Sequence, residues 1–326
     1  IAPGERVVLV YPTGAGFFDA FFGVLLAGAV PVYPPVRLGR LEEYHEQTAR
    51  MIEAVSARLV LADPKVHRIL GEVVARARPA LGCRTLPSID ASPYSPTRVM
   101  PEDLGLVQFS SGTTVDPKPV ALSHRAIVAQ ATLLNGFWPD DDRVRHSGVS
   151  WLPLYHDMGL IGCVIPALER PTDLTLIPPE AFIARPALWL RALSRYRATV
   201  SPAPNFAYAL CVDRIRDEEI EGIDLSGWYV ALNGAEQVVP HVMRGFVERF
   251  APHGFREAAM TPVYGLSEAA LAVTFSDLHR PATVASFDRQ RLATVAKAEA
   301  RPDGVEITSV GRPLPGFELR VEDEHG

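Results

Sequence analysis

Apolar and polar positions follow one another in short blocks that predict strands and helices in turn. A β-branched run at residues 5–11 predicts a strand, the apolar stretch 17–27 predicts a helix, and residues 30–33 predict the next strand. A strand, a helix and a second strand in succession form a parallel unit, because the chain must cross over before it can run in the same direction again. The opening of the chain therefore predicts an α/β fold.

The same alternation continues beyond this first unit. Further helices are predicted at residues 49–55, 186–196 and 239–250. Further strands are predicted at residues 59–62, 106–109, 150–152, 174–177, 199–201, 229–232 and 262–264, and short β structure at 310–321. We therefore expect two doubly wound subdomains with mostly parallel sheets, residues 1–141 and 142–280, followed by a small C-terminal β region, residues 281–326.

Composition narrows the classes of function. The chain has 326 residues, 48% of them hydrophobic and 21% charged, which is typical of a globular protein. A net charge of −6 argues against a general nucleic-acid or anionic-membrane surface. The apolar run 17–33 contains Asp19 and is shorter than the roughly 20 residues of a membrane span. Cys83, Cys163 and Cys211 are widely spaced, so we expect reduced, packed thiols rather than a disulfide framework or a zinc site.

Residues 108–118 combine a strand end with the chemistry of an anion-binding loop. Their sequence is Gln-Phe-Ser-Ser-Gly-Thr-Thr-Val-Asp-Pro-Lys. Small residues let backbone N–H groups approach an anion, hydroxyls add donors or a metal ligand, and lysine adds a compact positive charge. The lysine follows Pro117 rather than a glycine, so this is not the Walker A pattern, and an ordinary polar turn stays open as an alternative. Ser123 is predicted to cap a helix that begins near His124.

Three later segments also follow predicted strands. They read Trp-Leu-Pro-Leu-Tyr-His-Asp-Met-Gly at 151–159, Asn-Gly-Ala-Glu at 233–236, and Tyr-Gly-Leu-Ser-Glu-Ala at 264–269. The segment 264–269 brings an aromatic ring, a glycine, a hydroxyl and a carboxylate together, which suits nucleotide binding. The same residues also fit the start of a helix that is capped by Ser267. An Asn-Gly pair is common in turns, and His156 beside Asp157 fits acid–base chemistry, a metal ligand or a packed histidine.

Together, these four segments resemble the core motifs of the AMP-forming acyl-adenylate ligases, and they are most similar to the fatty acyl-AMP ligases. The resemblance extends from Val7 to about Val321. It implies a cytoplasmic enzyme that uses ATP and Mg²⁺ to convert a carboxylic acid, expected to be a fatty acid, into acyl-AMP and pyrophosphate. The acyl acceptor would be a carrier-protein thiol or CoA, with no nucleic-acid partner and no membrane span.

The resemblance also implies roles for individual residues. Lys118 would contact the β- and γ-phosphates, and His156 would orient the carboxylate and phosphate electrostatically. Glu268 would hold Mg²⁺ together with Thr113 or Thr114. These three residues, Lys118, His156 and Glu268, are the expected catalytic residues. Tyr264 would stack on adenine and Ser267 would touch the α-phosphate. The expected nucleotide-binding residues are Ser110, Ser111, Gly112, Thr113, Thr114, Lys118, Asn233, Gly234, Ala235, Tyr264, Gly265 and Ser267.

The chain departs from the family pattern in two places. Val115 restricts the backbone, and Pro119 stands where a glycine is common. Asp116 brings a negative charge towards a polyphosphate unless its side chain turns outward or joins a Mg²⁺ shell, so weak or altered ATP handling is expected. Family members continue past the segment 311–316 to a ribose-binding aspartate and a lid domain bearing a lysine. We therefore expect this chain to lack the lid, to lack residues before its first strand, and to be poorly active alone.

Three alternatives stay open. The nearest are an acyl-CoA ligase and an amino-acid adenylation domain, in which a carboxylate comparable to Asp157 holds the substrate amine. The His-Asp-Met-Gly context is the acyl-ligase form. A different class is a degenerate homologue that binds an acyl-adenylate without turnover, for which Val115 and Asp116 are the best support.

Overall fold

The computed structural model describes residues 1–35, 41–86, 94–109, 118–137, 146–278, 280–295 and 298–322. The chain forms two compact units. The first unit comprises residues 1–132 together with 153–161, and the second comprises residues 133–152 together with 162–326. The expected subdomain boundary between residues 141 and 142 lies outside the described residues, and that division stays a prediction.

The first unit contains a six-stranded sheet with the strand order β4-β3-β1-β2-β5-β6. Its strands are β1 (Arg6–Val10), β2 (Val30–Tyr33), β3 (Leu59–Ala62), β4 (Cys83–Arg84), β5 (Leu104–Phe109) and β6 (Pro119–Ser123). All neighbouring strands are parallel except β5 and β6. The parallel pairing of β1 with β2 confirms the strand–helix–strand unit predicted from the sequence.

Helices lie on both faces of this sheet. The unit has α1 (Ala15–Leu26), α2 (Leu41–Ala54), α3 (Pro64–His67), α4 (Gly71–Ala77), most of α5 (His124–Asn135) and α6 (Asp157–Gly159). Successive residues of β2 point to opposite faces. Val32 belongs to the apolar cluster with Met51 and Ile52 of α2. Tyr33 stacks on Phe17 of α1, with ring centroids 4.6 Å apart.

The hairpin of β5 and β6 was not predicted. Phe109 pairs with Pro119, and β6 runs antiparallel to β5. A proline is tolerated as the first residue of β6 because β6 is an edge strand, where a missing N–H breaks no ladder. After β6, the Ser123 hydroxyl accepts a hydrogen bond of 3.2 Å from the Ala126 amide, which confirms the predicted cap of α5.

The second unit contains a seven-stranded sheet with the order β15-β12-β11-β10-β9-β7-β8 and a separate two-stranded sheet. Its strands are β7 (Ser147–Ser150), β8 (Asp173–Leu176), β9 (Val200–Pro204), β10 (Val230–Gly234), β11 (Met260–Gly265), β12 (Ala272–Phe275), β13 (Val284–Phe287), β14 (Val305–Thr308) and β15 (Arg312–Pro313). Its helices are α7 (Ile165–Glu169), α8 (Pro179–Ala184), α9 (Ala187–Tyr196), α10 (Asn205–Arg214), α11 (Pro240–Phe250) and α12 (Arg289–Val295). The strands β8, β7, β9, β10 and β11 run parallel to one another, whereas β12 pairs antiparallel with both β11 and β15.

The α/β class with mostly parallel sheets is confirmed in both units. The β structure expected at residues 310–321 is wrong for most of its length, because only Arg312 and Pro313 pair, with β12. Pro315 and Gly316 follow one residue later, and a proline cannot donate a hydrogen bond to a strand ladder. The two-stranded sheet is instead built from β13 and β14. In the part of the chain that the structure describes, no helix combines the length and apolar character that a membrane crossing needs.

Candidate functional site

Two of the sequence motifs begin at the same edge of the second sheet. β10 and β11 are parallel neighbours, and Asn233 of β10 pairs with Pro262 of β11. Their carboxyl ends therefore lie side by side, and the segments 233–236 and 264–268 start there. Loops at this edge of a parallel sheet are where ligands bind. Both segments line one cavity of about 310 Å³, to which residues 235–238, 263–265 and Ile307, Thr308 and Val310 contribute.

Glycines allow the backbones of these loops to approach each other. A Cβ atom on Gly234 would lie 2.7 Å from Cγ2 of Val263, and one on Gly265 would lie 1.9 Å from the Leu271 carbonyl oxygen. That carbonyl accepts a hydrogen bond of 2.8 Å from the Leu266 amide, which holds the turn after β11. Ala235 has a φ of 64°, a left-handed conformation that is rare outside glycine and concentrates at functional sites.

The end of β11 presents the side chains expected to meet a nucleotide. Tyr264 is 47% exposed and lines the cavity, so its ring has a face open to a ligand. Ser267 is half-buried and Glu268 is exposed, both within one short turn, Ser267–Ala269. This turn contains three residues and no side-chain cap, so the alternative of a helix capped by Ser267 is wrong.

Asn233 lies in the interior rather than in the cavity. Its side chain is 0% exposed, and its Nδ2 donates to Oδ1 of Asn205 over 3.3 Å. The same Asn205 oxygen accepts a hydrogen bond of 3.1 Å from the Val239 amide. Asn205 therefore fixes both ends of the loop 233–239, part of which lines the cavity. Asn205 is not among the residues predicted from the sequence, because its burial and its position directly after β9 become evident only in the structure.

Glu236 has a structural role that its motif did not reveal. Its Oε1 accepts a hydrogen bond of 2.6 Å from the Phe206 amide in the first turn of α10. Amides in a first turn have no partner within the helix, and a carboxylate there also interacts favourably with the helix dipole. The carboxylate thus anchors the cavity loop to α10.

His156 and Asp157 form a pair within the first unit. Nδ1 of His156 lies 2.8 Å from Oδ1 of Asp157, whose side chain is 6% exposed against 31% for the imidazole. The Met158 amide donates to Oδ1 of Asp157 over 2.6 Å and lies 3.2 Å from Nδ1 of His156. Nδ1 carries a proton when it donates to Asp157 and none when it accepts from Met158, so the two contacts belong to different protonation states. Asp157 therefore fixes the orientation of a partly exposed imidazole.

Lys118 is exposed and directly precedes β6. The other predicted phosphate-loop residues, together with Val115 and Asp116, lie outside the described residues. These predicted phosphate-loop residues are Ser110, Ser111, Gly112, Thr113 and Thr114. The structure thus brings Ala235, Tyr264 and Gly265 together in the second unit, while Lys118 and His156 belong to the first.

The cysteines do not offer nucleophilic chemistry. Burial raises the pKa of the Cys163 thiol to about 12 and also raises that of the Cys211 thiol. A protonated thiol is a poor nucleophile. All three cysteines carry free thiols, and Cys163 and Cys211 are buried as expected, whereas Cys83 is only partly buried.

The chain is similar in sequence to known enzymes that activate carboxylic acids. The 4-hydroxyphenylalkanoate adenylyltransferase of Mycobacterium tuberculosis is 33% identical over 336 residues, which cover 98% of this chain and 53% of that protein. A medium-chain-fatty-acid–[acyl-carrier-protein] ligase of Moorena producens is 31% identical, over 97% of this chain and 55% of that protein. The chain therefore spans about half the length of these curated relatives.

Solved structures and a family model also show similarity to adenylate-forming enzymes. The crystal structure of a fatty acyl-adenylate ligase from Legionella pneumophila, in complex with acyl adenylate and pyrophosphate, superposes with a TM-score of 0.85 and 31% identity. This match covers 96% of the present chain and 55% of that one. The model of the AMP-binding enzyme family matches residues 1–326. The chain belongs to the AMP-binding enzyme family.

Proposed function

We propose that this protein activates a carboxylic acid, a fatty acid by preference, with ATP to give acyl-AMP and pyrophosphate. The observation that carries the proposal is the cavity at the carboxyl ends of β10 and β11, which the loop after β10 and Tyr264 both line. The Legionella pneumophila relative bound to acyl adenylate and pyrophosphate supports the same pair of products.

The chemistry requires alignment and charge neutralisation rather than a protein base. The acid is already an anion at neutral pH, and its oxygen attacks the α-phosphorus of ATP. The bond from that phosphorus to the bridging oxygen breaks, and pyrophosphate leaves with the electron pair. Catalysis then depends on holding the reactants in line and on stabilising the charge that develops on the phosphate oxygens.

The cavity suits the base end of the nucleotide. Small-molecule pockets range over roughly 300–1,000 Å³. At about 310 Å³ this cavity is at the lower limit, so it accommodates a nucleoside-sized group and not a long acyl chain as well. Tyr264 would stack on the base, and the glycines would let backbone groups approach it.

Glu268 fits the expected role of a magnesium ligand. Mg²⁺ prefers oxygen ligands and in nucleotide sites is held by one or two carboxylates together with substrate phosphates. Glu268 offers an exposed carboxylate next to the cavity-lining end of β11. When bound, the ion would neutralise polyphosphate charge. The roles of Thr114, Lys118 and His156 stay predictions from their motifs, as does a cytoplasmic location.

A carrier-protein thiol is the proposed acyl acceptor. The Moorena producens relative is named as a ligase of medium-chain fatty acids and an acyl carrier protein. CoA is the alternative acceptor, and an aromatic acid is the alternative substrate, because the Mycobacterium tuberculosis relative is named for 4-hydroxyphenylalkanoates.

Pyrophosphate exchange by the intact protein tests the proposal. Fatty acids, 4-hydroxyphenylalkanoates and amino acids would be compared, each with and without CoA. We expect exchange with fatty acids and no CoA thioester. Preference for amino acids would favour an adenylation domain, and thioester formation would favour an acyl-CoA ligase. Binding of a non-hydrolysable acyl-adenylate analogue without any exchange would establish the degenerate homologue instead.

The Asn205 contacts lead to a prediction about ATP use. Replacing Asn205 by leucine removes the acceptor for the partly buried Val239 amide and for the buried Asn233 side chain. We expect the KM for ATP to rise about tenfold in Asn205→Leu, since each lost buried hydrogen bond costs about 1–3 kcal/mol. In Asn205→Asp both hydrogen bonds have an acceptor, so its KM should stay close to that of the unmodified protein. Equal KM values in all three proteins, measured by pyrophosphate exchange, would contradict this role.

A further inference from the structure

A third wall of the cavity comes from β14, which none of the recognised motifs contains. Ile307 and Thr308 of β14, with Val310 after it, line the cavity beside the two motif loops. The segment is far from both motifs in sequence. Its place in the cavity is a result of tertiary packing alone.

Contacts from three directions hold this wall in place. Glu306 forms a two-pronged salt bridge with Arg244 of α11, with N–O distances of 3.1 and 2.6 Å. The Ser309 amide donates to the Thr283 carbonyl over 2.8 Å, next to the pairing of β14 with β13. The Thr274 hydroxyl on β12 donates to the Val310 carbonyl over 2.6 Å. The backbone on both sides of Thr308 is therefore fixed.

Thr308 is the polar residue of this wall, and its hydroxyl lacks a partner. The residue is 8% exposed, and its Oγ1 makes no hydrogen bond within the described parts of the chain. A buried hydroxyl without a partner costs free energy, so a partner that enters the cavity would be favoured. A change of χ1 rotamer moves the threonine hydroxyl to another staggered position, so the oxygen can turn towards a ligand without backbone movement.

We propose that Thr308 is a further nucleotide-binding residue, whose hydroxyl forms a hydrogen bond with the edge of the purine base held in this cavity. The inference rests on the proposed function, because it takes the ligand of the cavity to be ATP or acyl-adenylate. A base edge carries both acceptor nitrogens and an amino donor, and a hydroxyl can pair with either. Thr308 would thus add base recognition to the stacking surface of Tyr264.

Calorimetric titration with MgATP, without acid, tests the proposal on the intact protein. Thr308→Val keeps the shape and removes the hydroxyl, and we expect it to weaken ATP binding about 3- to 10-fold, the size of one hydrogen bond. Thr308→Ser keeps the hydroxyl and should restore binding. Thr294→Val, a matched change at an exposed position of α12 that does not line the cavity, should leave binding unchanged. Thermal unfolding of Thr308→Val should occur at an unchanged or higher temperature, because the variant loses an unpaired buried hydroxyl.

Several results would overturn the inference. ATP affinity in Thr308→Val equal to that of the unmodified protein would remove Thr308 from the site, and weaker binding accompanied by a lower unfolding temperature would make the hydroxyl a structural group. If Thr308→Val bound ATP more weakly than the unmodified protein but bound 2′- or 3′-deoxy-ATP equally well, the contact would lie on the ribose instead of the base. Failure of the unmodified protein to bind ATP at all would overturn the proposed function and this inference with it.

Discussion

Replacing Glu268 by alanine is expected to lower Mg²⁺-dependent pyrophosphate exchange by about 100-fold or more. The carboxylate is exposed in the turn after β11, three residues beyond Gly265, which lines the cavity. An exposed carboxylate in a three-residue turn contributes little to folding, so the variant should unfold at the temperature of the unmodified protein. A large loss of exchange in a folded variant would therefore report on catalysis.

Glu248→Ala is the matched control for this experiment. Glu248 is an exposed carboxylate on α11 and lies outside the recognised motifs, so its removal should leave exchange unchanged. Glu268→Gln keeps the shape of the side chain without its charge, and it should lose nearly as much exchange as the alanine variant if the charge holds the metal. Exchange in Glu268→Ala equal to that of Glu248→Ala would refute the metal-binding role.

The buried parallel strands could be predicted from the sequence. β2 and β3 occur at the predicted residues, because buried strands of a parallel sheet are short apolar runs rich in β-branched residues. β6 could not be predicted, since its first residue is a proline and its place in the sheet depends on antiparallel pairing with β5 rather than on local propensity. The short strands β13 and β14 likewise gain their stability from pairing with each other, which no local pattern reveals.

The candidate site was predictable in its motifs but not in the direction of its side chains. The motifs after β10 and β11 were recognised, and the structure brings Ala235 and Tyr264 to one cavity. The interior position of Asn233 depends on the register of β10 with its neighbours and on Asn205, which is distant in sequence. Thr308 reaches the cavity only through the packing of β14. Contacts between segments distant in sequence decided both positions.

Gly265→Ala should cause the second large loss of activity. The added Cβ would lie 1.9 Å from the Leu271 carbonyl oxygen and 2.8 Å from its carbon, so the backbone itself must move. That movement would break the hydrogen bond from the Leu266 amide to Leu271 and displace Tyr264 from the cavity wall. We expect pyrophosphate exchange to fall by about 100-fold and the free energy of unfolding to decrease by about 1–3 kcal/mol, as for other overpacked sites.

Gly245→Ala provides the comparison that separates this steric effect from a general sensitivity to glycine replacement. Gly245 lies in α11, and a Cβ there would meet no atom within 4 Å. Alanine favours a helix over glycine by about 0.8–1 kcal/mol, so this variant should be slightly more stable and fully active. Chemical denaturation and pyrophosphate exchange on both variants measure the difference. If Gly265→Ala retained the exchange rate of Gly245→Ala, the close approach of the β11 turn to Leu271 would not be required for nucleotide binding.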